Sequence, residues 1–588
     1  MTLLGSCEAR AGSSDQLGRR EAIQNHGKYA HDQPLGRGGD GDATAKPGAL
    51  AAIAGRQANA DVDAPSSTEA AATTPTSTSP VSIPTEVTPG TVVQGDYSGP
   101  LRPQVHFSPP KAWANDPSVL KDTNGTWHLY YQYNPTAIVA GNQHWGHATS
   151  DDLYHWKNQP IALFPPDNTS GIFTGSLVLD PNNTSGFFSN ATEGVDNVVA
   201  LYTLNTPEKQ VQNLAYSLDG GYTFETYEGN PVIDSNTTQF RDPKVIWHAE
   251  TERWVMVVAY PQEYTVAFYT STDLREWERV SNFSHAGFLG LQYECPNFVE
   301  LPVKGTDEMR WVLFISINPG APQGGSAGQY FIGDFDGTTF TAQDAAARLA
   351  NFGKDQYADQ WFYGAEEPIS IGWAGNWQYT QQSPTAAEGW RSAFTLPRQN
   401  FLVNATRVGL VLGSIPYQLD TVRGSSLLDG GAETTSVANQ SVSIDYSSLD
   451  SGAVAFSLDI SLPTNVTIPA TATLNLTFTS SATNESLSAG YFFGNGDGGF
   501  AWIDRGKTNG FENPFFTDKF SQASASLAYR IEGVLDRSLF ELFLDEGAFS
   551  ATVDVYPTQP LDTLVVGSAD MPEGAEVDLK AWGLKGTW

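Results

Sequence analysis

A short turn pattern recurs along the middle of the chain and constrains its fold more than any other feature. The segments TSDDLYHW (149–156) and TSTDLREW (270–277) each place Ser, Asp and Trp at offsets 0, 2 and 6. Looser copies occur in YSLDGGYTF (216–224) and GDFDGTTF (333–340), so the copies start 67, 54 and 63 residues apart. Between them lie short aromatic and β-branched runs such as RWVMVVAY and RWVLFISIN, which are typical of strands.

A repeating strand–turn–strand unit of about 60 residues predicts the blades of a β-propeller. Four copies within residues 100–400 leave room for about five blades. In each copy the acid is expected to cap a tight turn, and the aromatic residue to pack under the next strand. The alternative is a β-sandwich with four ordinary hairpins.

The composition changes at both ends of this region. Residues 61–95 are rich in Ser, Thr and Pro, and such a segment cannot bury a core. After WRSAFTLPRQN (390–400) the strands alternate polar and apolar residues, as in a β-sandwich. We predict an all-β chain: a disordered tail and linker over 1–98, a five-bladed β-propeller over 99–415, and a linker with a C-terminal β-sandwich over 416–588.

The charge balance excludes several partners. The net charge is −33 with only 32 Lys and Arg residues, which argues against nucleic acid and anionic membrane surfaces. No apolar run of about 18 residues occurs, so no membrane-spanning helix is predicted. A neutral sugar suits the aromatic content of 12%. The nine His residues are scattered, and no metal or other cofactor is predicted.

Glycosylation sequons predict a secreted glycoprotein. Asn-X-Ser/Thr occurs twelve times, at Asn124, Asn168, Asn182, Asn183, Asn190, Asn236, Asn282, Asn404, Asn439, Asn465, Asn475 and Asn484. The two cysteines, Cys7 and Cys295, predict no structural disulfide, because Cys7 lies in the tail. The segment GALAAIAGRQANA (48–60) resembles the end of a signal peptide, so we expect the true start to differ from residue 1.

Three acidic residues lie beside a proline and an apolar run. Asp116 in WANDPSVL and Asp242 in FRDPKVIW precede proline directly, while Glu294 in YECPNFV is followed by a cysteine and then proline. Proline biases the residue before it towards extended backbone. The rival interpretation is an ordinary turn acid, or for Asp242 a simple salt bridge with Arg241. Asp180 in LVLDPNNTSG fits the turn interpretation, because a loop follows it.

Glycoside hydrolysis is the chemistry that these acids suit. It needs one carboxylate to attack or stabilise the anomeric carbon and one protonated carboxyl to release the leaving group. The three acids are 126 and 52 residues apart, or about two blades and one blade. The inner strands of a propeller converge on one axial opening, so acids from different blades can meet there.

Many segments together resemble glycoside hydrolase family 32, which includes invertases, inulinases and fructosyltransferases. The resemblance rests on WANDPSV, YYQYNP, WGHATSDDLYHW, FTGS, FRDP, YECP, NFGKDQYADQWF, NWQY and WRSAFTLPR, with VLDRSLFELFLDEG in the C-terminal part. It covers about residues 100–588 in the family's order.

The resemblance implies roles for these residues. Asp116 would be the nucleophile and Glu294 the acid/base of a retaining reaction, with their carboxyls about 5 to 5.5 Å apart. Asp242 would hold fructose hydroxyls, and Arg241 would tune the acids. The predicted fructose-subsite residues are Trp113, Asn115, Gln132, Trp145, Phe173, Ser176 and Asp355. The family also permits a homodimer.

Four positions depart from the family pattern. Ala114, Ser118 and Val119 replace the usual Met, Asn and Gly around Asp116, and Ala140 stands where a Trp is frequent. We expect the changes at Ser118 and Ala140 to favour transfer of the fructosyl unit to sucrose at high sucrose. The main prediction is a secreted β-fructofuranosidase acting on sucrose. The alternatives are an exo-acting fructan hydrolase, an inactive sugar-binding propeller and a structural wall glycoprotein.

Overall fold

Five antiparallel sheets follow one another along the chain, and each forms one blade of a propeller. The computed structural model describes residues 83–189, 192–405, 407–494, 499–524 and 529–588. Cys7, segment 48–60 and Asn190 lie outside these ranges. The blades contain the following strands: blade I Ala112–Lys121, Trp127–Asn134, His144–Ser150 and Trp156–Leu163; blade II Gly171–Leu179, Val198–Asn205, Gln210–Ser217, Glu225–Thr226 and Ile233–Thr237; blade III Arg241–His248, Arg253–Tyr260, Thr265–Ser271 and Glu278–Ser284; blade IV Tyr293–Pro302, Met309–Ile317, Ala327–Phe335, Phe340–Ala342 and Arg348–Leu349; blade V Tyr357–Trp361, Ile369–Ala374, Ala393–Phe394, Arg398–Ala405 and Gly409–Pro416.

The first strand of each blade is its inner strand, and the five inner strands form a ring. Each packs against the inner strands of both neighbouring blades, and that of blade V packs against that of blade I. Because the blades stack face to face, their middle strands are buried on both sides and read as continuous apolar runs. One side-chain hydrogen bond recurs at three junctions: Ser118 Oγ to Gly175 O (2.9 Å), Ser176 Oγ to Pro243 O (2.9 Å) and Asn297 Nδ2 to Asp359 O (3.2 Å).

The recurring turn pattern marks the same hairpin in four blades, as predicted. In blade I, Asp152 Oδ1 accepts the backbone N–H groups of Tyr154 (2.9 Å) and His155 (2.8 Å), between the third and fourth strands. The aromatic residue Trp156 is buried at the start of the fourth strand. Blade V has no copy of the pattern between its last two strands, Arg398–Ala405 and Gly409–Pro416.

Two further sheets form the C-terminal sandwich. The seven-stranded sheet contains Arg423–Ser426, Thr435–Ser436, Ala453–Ser461, Tyr529–Asp536, Leu539–Leu544, Phe549–Asp554 and Glu576–Leu584. The six-stranded sheet contains Ser441–Asp445, Thr473–Thr479, Ser486–Phe492, Gly499–Lys507, Lys519–Ser524 and Thr563–Ala569. One large apolar cluster fills the space between them. The all-β propeller and sandwich predicted from the sequence are therefore present.

The described helices are six single-turn 3₁₀ segments, and none is long and apolar enough to span a membrane. They are Pro261–Glu263, Thr380–Gln382, Pro384–Glu388, Leu419–Thr421, Asp429–Gly431 and Asp545–Gly547. Residues 83–98, which the sequence assigned to the disordered tail, pack on the domains instead. Tyr97 stacks on Trp588 with ring centroids 4.0 Å apart, because the segment carries enough apolar side chains to cover the end of blade I.

Candidate active site

A β-bulge near the start of each inner strand places side chains from different blades together. The pairing register shifts between Asn115 and Pro117 in blade I and at corresponding positions of the other four inner strands. Asp116, Asp242, Cys295 and Ala358 lie at these bulges with φ of 31°, 69°, 45° and 54°. Non-glycine residues adopt such backbone reluctantly, at about 1–3 kcal/mol each, and typically at functional sites.

Asp116 is buried among donors that come from three blades. Its Oδ2 accepts hydrogen bonds from Thr174 Oγ1 (3.0 Å), Gln132 Nε2 (3.2 Å) and Cys295 Sγ (3.6 Å). Its Oδ1 is buried without a hydrogen-bond partner among the described residues. Burial raises the pKa of Asp116 to about 6, and the neighbouring Asn115 side chain opposes that rise. One oxygen is therefore fixed by these donors, while the other has no hydrogen-bond partner among the described residues.

Asp242 is tied to the same cluster through the backbone of Cys295. The Cys295 N–H donates to Asp242 Oδ2 at 2.8 Å, and the Asp242 N–H donates to Thr203 Oγ1 at 3.0 Å. Burial raises the pKa of Asp242 to about 7, against the lowering effect of the Arg241 charge. Cys295 thus contacts Asp116 through its thiol and Asp242 through its amide.

Glu294 is held on both oxygens by strong donors. Arg241 donates to Oε1 from Nη2 (2.9 Å) and Nε (3.2 Å), and the Tyr357 hydroxyl donates to Oε2 at 2.6 Å. Burial keeps the pKa of Tyr357 well above its usual value, so the phenol remains a donor. Glu294 is less buried than Asp116 and Asp242, which suits an acid that must meet a leaving group and then water.

Three tryptophans support one side of the cluster. Trp113 lies with its ring centroid 5.8 Å from those of Trp373 and Trp377, which are 4.9 Å apart. The Trp113 indole N–H donates to Asn115 Oδ1 at 2.7 Å. Trp113 is fully buried and lies behind the cluster of acids. Ala140 packs at the edge of this aromatic group.

The structure brings most of the predicted residues together. Asp116, Asp242, Glu294, Arg241, Asn115 and Gln132 contact one another directly or through one residue. Phe173 is half-buried on the inner strand of blade II, next to Thr174. The positions that these residues occupy agree with the predicted grouping, while their roles stay predictions.

Trp145, Ser176 and Asp355 were predicted to line the sugar subsite and do not join the cluster. Trp145 is fully buried between blades I and II, and its indole N–H donates to Phe173 O at 3.0 Å. The Ser176 hydroxyl is hydrogen-bonded to the backbone of blade III. Asp355 Oδ2 accepts from Arg505 Nη1 (2.7 Å) and from the Asp554 N–H (2.9 Å), both in the sandwich.

Thr174 and Tyr357 are the site residues that the sequence did not reveal. Thr174 lies inside FTGS, between the two residues that were chosen, and Tyr357 lies two positions after Asp355. The bulges explain both misses, because residues on either side of a bulge no longer follow the two-residue alternation of a strand. Among the described residues, no group of three or more His, Cys, Asp or Glu side chains is arranged to hold a metal ion.

Comparisons with known proteins agree with this fold. Residues 106–411 match the glycosyl hydrolases family 32 N-terminal domain, and residues 419–583 match the family 32 C-terminal domain. An extracellular exo-inulinase of Meyerozyma guilliermondii is 41% identical over 83% of this chain and 96% of the relative. An invertase of Schizosaccharomyces pombe is 39% identical over 79% and 81%.

Solved structures give the same result. A β-fructofuranosidase of Schwanniomyces occidentalis complexed with fructosyl-erythritol is 35% identical with a TM-score of 0.75, covering 83% of this chain and 99% of its own. An exo-inulinase of Aspergillus awamori is 32% identical with a TM-score of 0.74, covering 84% and 100%. On its sequence and its fold, this chain belongs to glycosyl hydrolases family 32.

Proposed function

We propose that the chain is a secreted, retaining β-fructofuranosidase that releases the terminal β-fructosyl unit of sucrose. The observation that carries the proposal is the contrast between two carboxyls in one buried cluster. Among the described residues, Asp116 has one oxygen without a hydrogen-bond partner, while both oxygens of Glu294 are held by Arg241 and Tyr357. An oxygen without a competing donor suits a nucleophile, and a carboxyl held in one orientation suits the residue that transfers the proton.

The reaction then proceeds in two steps. Asp116 Oδ1 attacks C2 of the fructosyl unit while Glu294 gives its proton to the glycosidic oxygen; the C2–O bond breaks and glucose leaves. Glu294, now a carboxylate, takes a proton from water, and that water oxygen attacks C2 and releases fructose from Asp116. Asp242, held by the Cys295 amide, binds fructose hydroxyls beside the reacting carbon.

Transfer to sucrose is the proposed second outcome of the same intermediate. Ser118 does not support it, because its hydroxyl donates to Gly175 O and not to Asp116. Ala140 supports it, because this small residue lies at the edge of the tryptophan group, where a larger ring would narrow the acceptor side. A second candidate, exo-acting hydrolysis of fructans, is favoured by the exo-inulinase relative at 41% identity.

Secretion is supported by that same extracellular relative and by the surface of the chain. Ten of the eleven described sequon asparagines are exposed, and only Asn183 is half-buried. We propose that several of them carry N-linked glycans.

A timed product profile at low and high sucrose, with inulin in parallel, tests the function. We expect glucose and fructose at low sucrose, and excess glucose with a trisaccharide at high sucrose. Asp116→Ala should abolish turnover, while Asp334→Ala, at an exposed position on blade IV, should not. Faster fructose release from inulin than from sucrose would favour the fructan hydrolase. Sugar binding without turnover in the unmodified protein would refute the proposal that the chain is an enzyme.

A further inference from the structure

A bare strip crosses the outer face of the six-stranded sheet of the sandwich. Asn475 lies between two glycines, with Gly567 opposite it on one neighbouring strand and Gly490 on the other. Trp502 lies opposite Gly490 on the next strand. The exposed Asn475 side chain therefore has no side chain directly across from it on either neighbouring strand.

The ring of Trp502 covers the outer side of Gly490. A Cβ atom at residue 490 would lie 2.8 Å from Cζ2 and 2.9 Å from Cε2 of Trp502, and would also meet the carbonyl of Leu474. Trp502 is half-buried, so part of its ring faces outward next to the strand of Asn475. Phe492 and Phe500, on the same face, are 37% and 53% exposed. An aromatic patch of this kind usually has an occupant.

Asn475 begins the sequon Asn475-Leu476-Thr477, and its amide is available. Among the residues that the structure describes, its Nδ2 donates one hydrogen bond, a long one of 3.4 Å to Thr473 Oγ1. Asn439 is a useful contrast: it is also exposed within a sequon, yet its amide both donates to Met571 O (3.0 Å) and accepts the Met571 N–H (2.8 Å). The geometry thus distinguishes a free acceptor asparagine from an engaged one.

We propose that Asn475 carries an N-linked glycan whose first sugar rings lie over Gly490 and stack on Trp502. Asn475 and Trp502 lie on the first and third of three adjacent strands, so their backbones are about 10 Å apart. Because the Trp502 ring leans over Gly490, which lies between them, a sugar on the Asn475 amide reaches the indole. The C–H groups of its less polar face then cover the exposed aromatic carbon, which removes apolar surface from water. Because the sugar is covalently attached, this contact has no association entropy to overcome.

The modification forms a bond from the Asn475 amide nitrogen to C1 of the sugar. The amide loses a proton, the C1–oxygen bond of a lipid-linked oligosaccharide pyrophosphate breaks, and the lipid pyrophosphate leaves. The step belongs to the secretory route, so this inference rests on the proposed secretion. A sucrose assay on the same sample separates the two: an active, secreted protein with an empty Asn475 contradicts the glycan alone.

The test uses full-length protein secreted from a yeast host. Glycopeptide mass mapping should find Asn475 occupied in most molecules. Thr477→Ala, which removes the sequon, should lower the apparent Tm by about 1–3 °C when Trp502 is present, and by clearly less in a Trp502→Ala background. Thr467→Ala removes the exposed sequon at Asn465 and is the matched control, whose effect should not depend on Trp502.

Enzymatic trimming of the glycan tests whether its first sugar is sufficient for the stabilisation. Trimming that leaves the first sugar on Asn475 should keep the Trp502-dependent stability, whereas complete removal should abolish it. Three outcomes would overturn the proposal: an unoccupied Asn475, a Thr477→Ala effect that is equal in both backgrounds, or a Trp502→Ala change that converts a dimer to a monomer. The last result would assign the patch to a second copy of the chain.

Discussion

Replacing Tyr357 with phenylalanine tests how the acid at Glu294 is held. The change keeps the ring, which packs edge-on against Trp373 with centroids 6.2 Å apart, and removes the hydroxyl that donates to Glu294 Oε2 at 2.6 Å. Arg241 still holds Oε1, so the carboxyl stays in the site but can turn about one fixed oxygen. We therefore expect lower kcat with little change in KM.

The size of the effect follows from the hydrogen bond. A hydrogen bond to a charged group contributes about 1.5–3 kcal/mol, which corresponds to about 10- to 150-fold in kcat if it is lost in the transition state.

Initial rates of sucrose hydrolysis over a range of sucrose concentrations separate kcat from KM. Tyr269→Phe is the matched control, because Tyr269 is a buried tyrosine of blade III that is hydrogen-bonded to Tyr260 at 2.8 Å. It should leave both kcat and KM unchanged. If Tyr357→Phe keeps the original kcat, or lowers it no more than Tyr269→Phe does, Tyr357 does not position Glu294.

The sandwich holds the two residues that precede Tyr357. Arg505 Nη1 donates to Asp355 Oδ2 at 2.7 Å, and Gln356 Oε1 accepts from Thr552 Oγ1 at 3.2 Å. Arg505→Lys keeps the charge but loses the planar fork. We expect a lower apparent Tm, because a lysine cannot make the several hydrogen bonds of the guanidinium, together with a partial version of the Tyr357→Phe loss of kcat. A lower Tm with an unchanged kcat would make the sandwich a support only.

Other substitutions separate roles within the cluster. Asp116→Asn should raise the apparent Tm at pH 7 but not near pH 4. The folded carboxyl, with its pKa raised to about 6, binds more protons than the unfolded one. The free energy of unfolding of the unmodified protein therefore falls as pH rises from about 4 to 7, by at most about 3 kcal/mol. A Tm difference that does not vary with pH would contradict this. Thr174→Val should lower kcat about tenfold, whereas Ser176→Ala should lower Tm and spare kcat; equal kcat losses would refute that assignment. Ala140→Trp should reduce the ratio of trisaccharide to fructose at high sucrose, and an unchanged ratio would remove the structural support for transfer.

The sequence predicted the blades and the acids for identifiable physical reasons. The turn pattern can be recognised in the sequence because its acidic side chain caps a hairpin locally, as Asp152 does. Such local geometry leaves a signal within a short motif. Asp116 and Asp242 stood out because proline follows each of them at a bulge. Both signals lie within a few residues, so a single sequence carries them.

Such local signals do not indicate which residues contact each other when they are far apart in the sequence. Asp355 lies in a segment that matched the family pattern, yet it contacts Arg505, which is 150 residues further along the chain. Trp145 was expected to face the sugar but fills the space between two blades. Which face a residue presents depends on the bulge before it and on the sheet stacked against it, and neither can be read from the residue's own neighbours.

Blade V explains why these longer contacts matter to the chemistry. It lacks the turn pattern, and the connection between its second and third strands instead supplies Trp390–Arg391, which pairs in parallel with the inner strand of blade I. Ser392 from the same connection donates to Ala114 O at 2.7 Å. The blade that meets blade I is also the one that the sandwich holds through Asp355 and that carries Tyr357.

Ring closure, sandwich attachment and the donor to Glu294 therefore belong to one structural unit. Removing the sandwich would take away Arg505 and Glu541, the charged partners of Asp355 and Arg398, and would expose the face of blade V that they cover. We expect the inner strand of blade V to lose its fixed position, and Glu294 to lose its phenol donor with it. In this fold the sandwich is thus part of what keeps the acid in place, although none of the three acids lies within it.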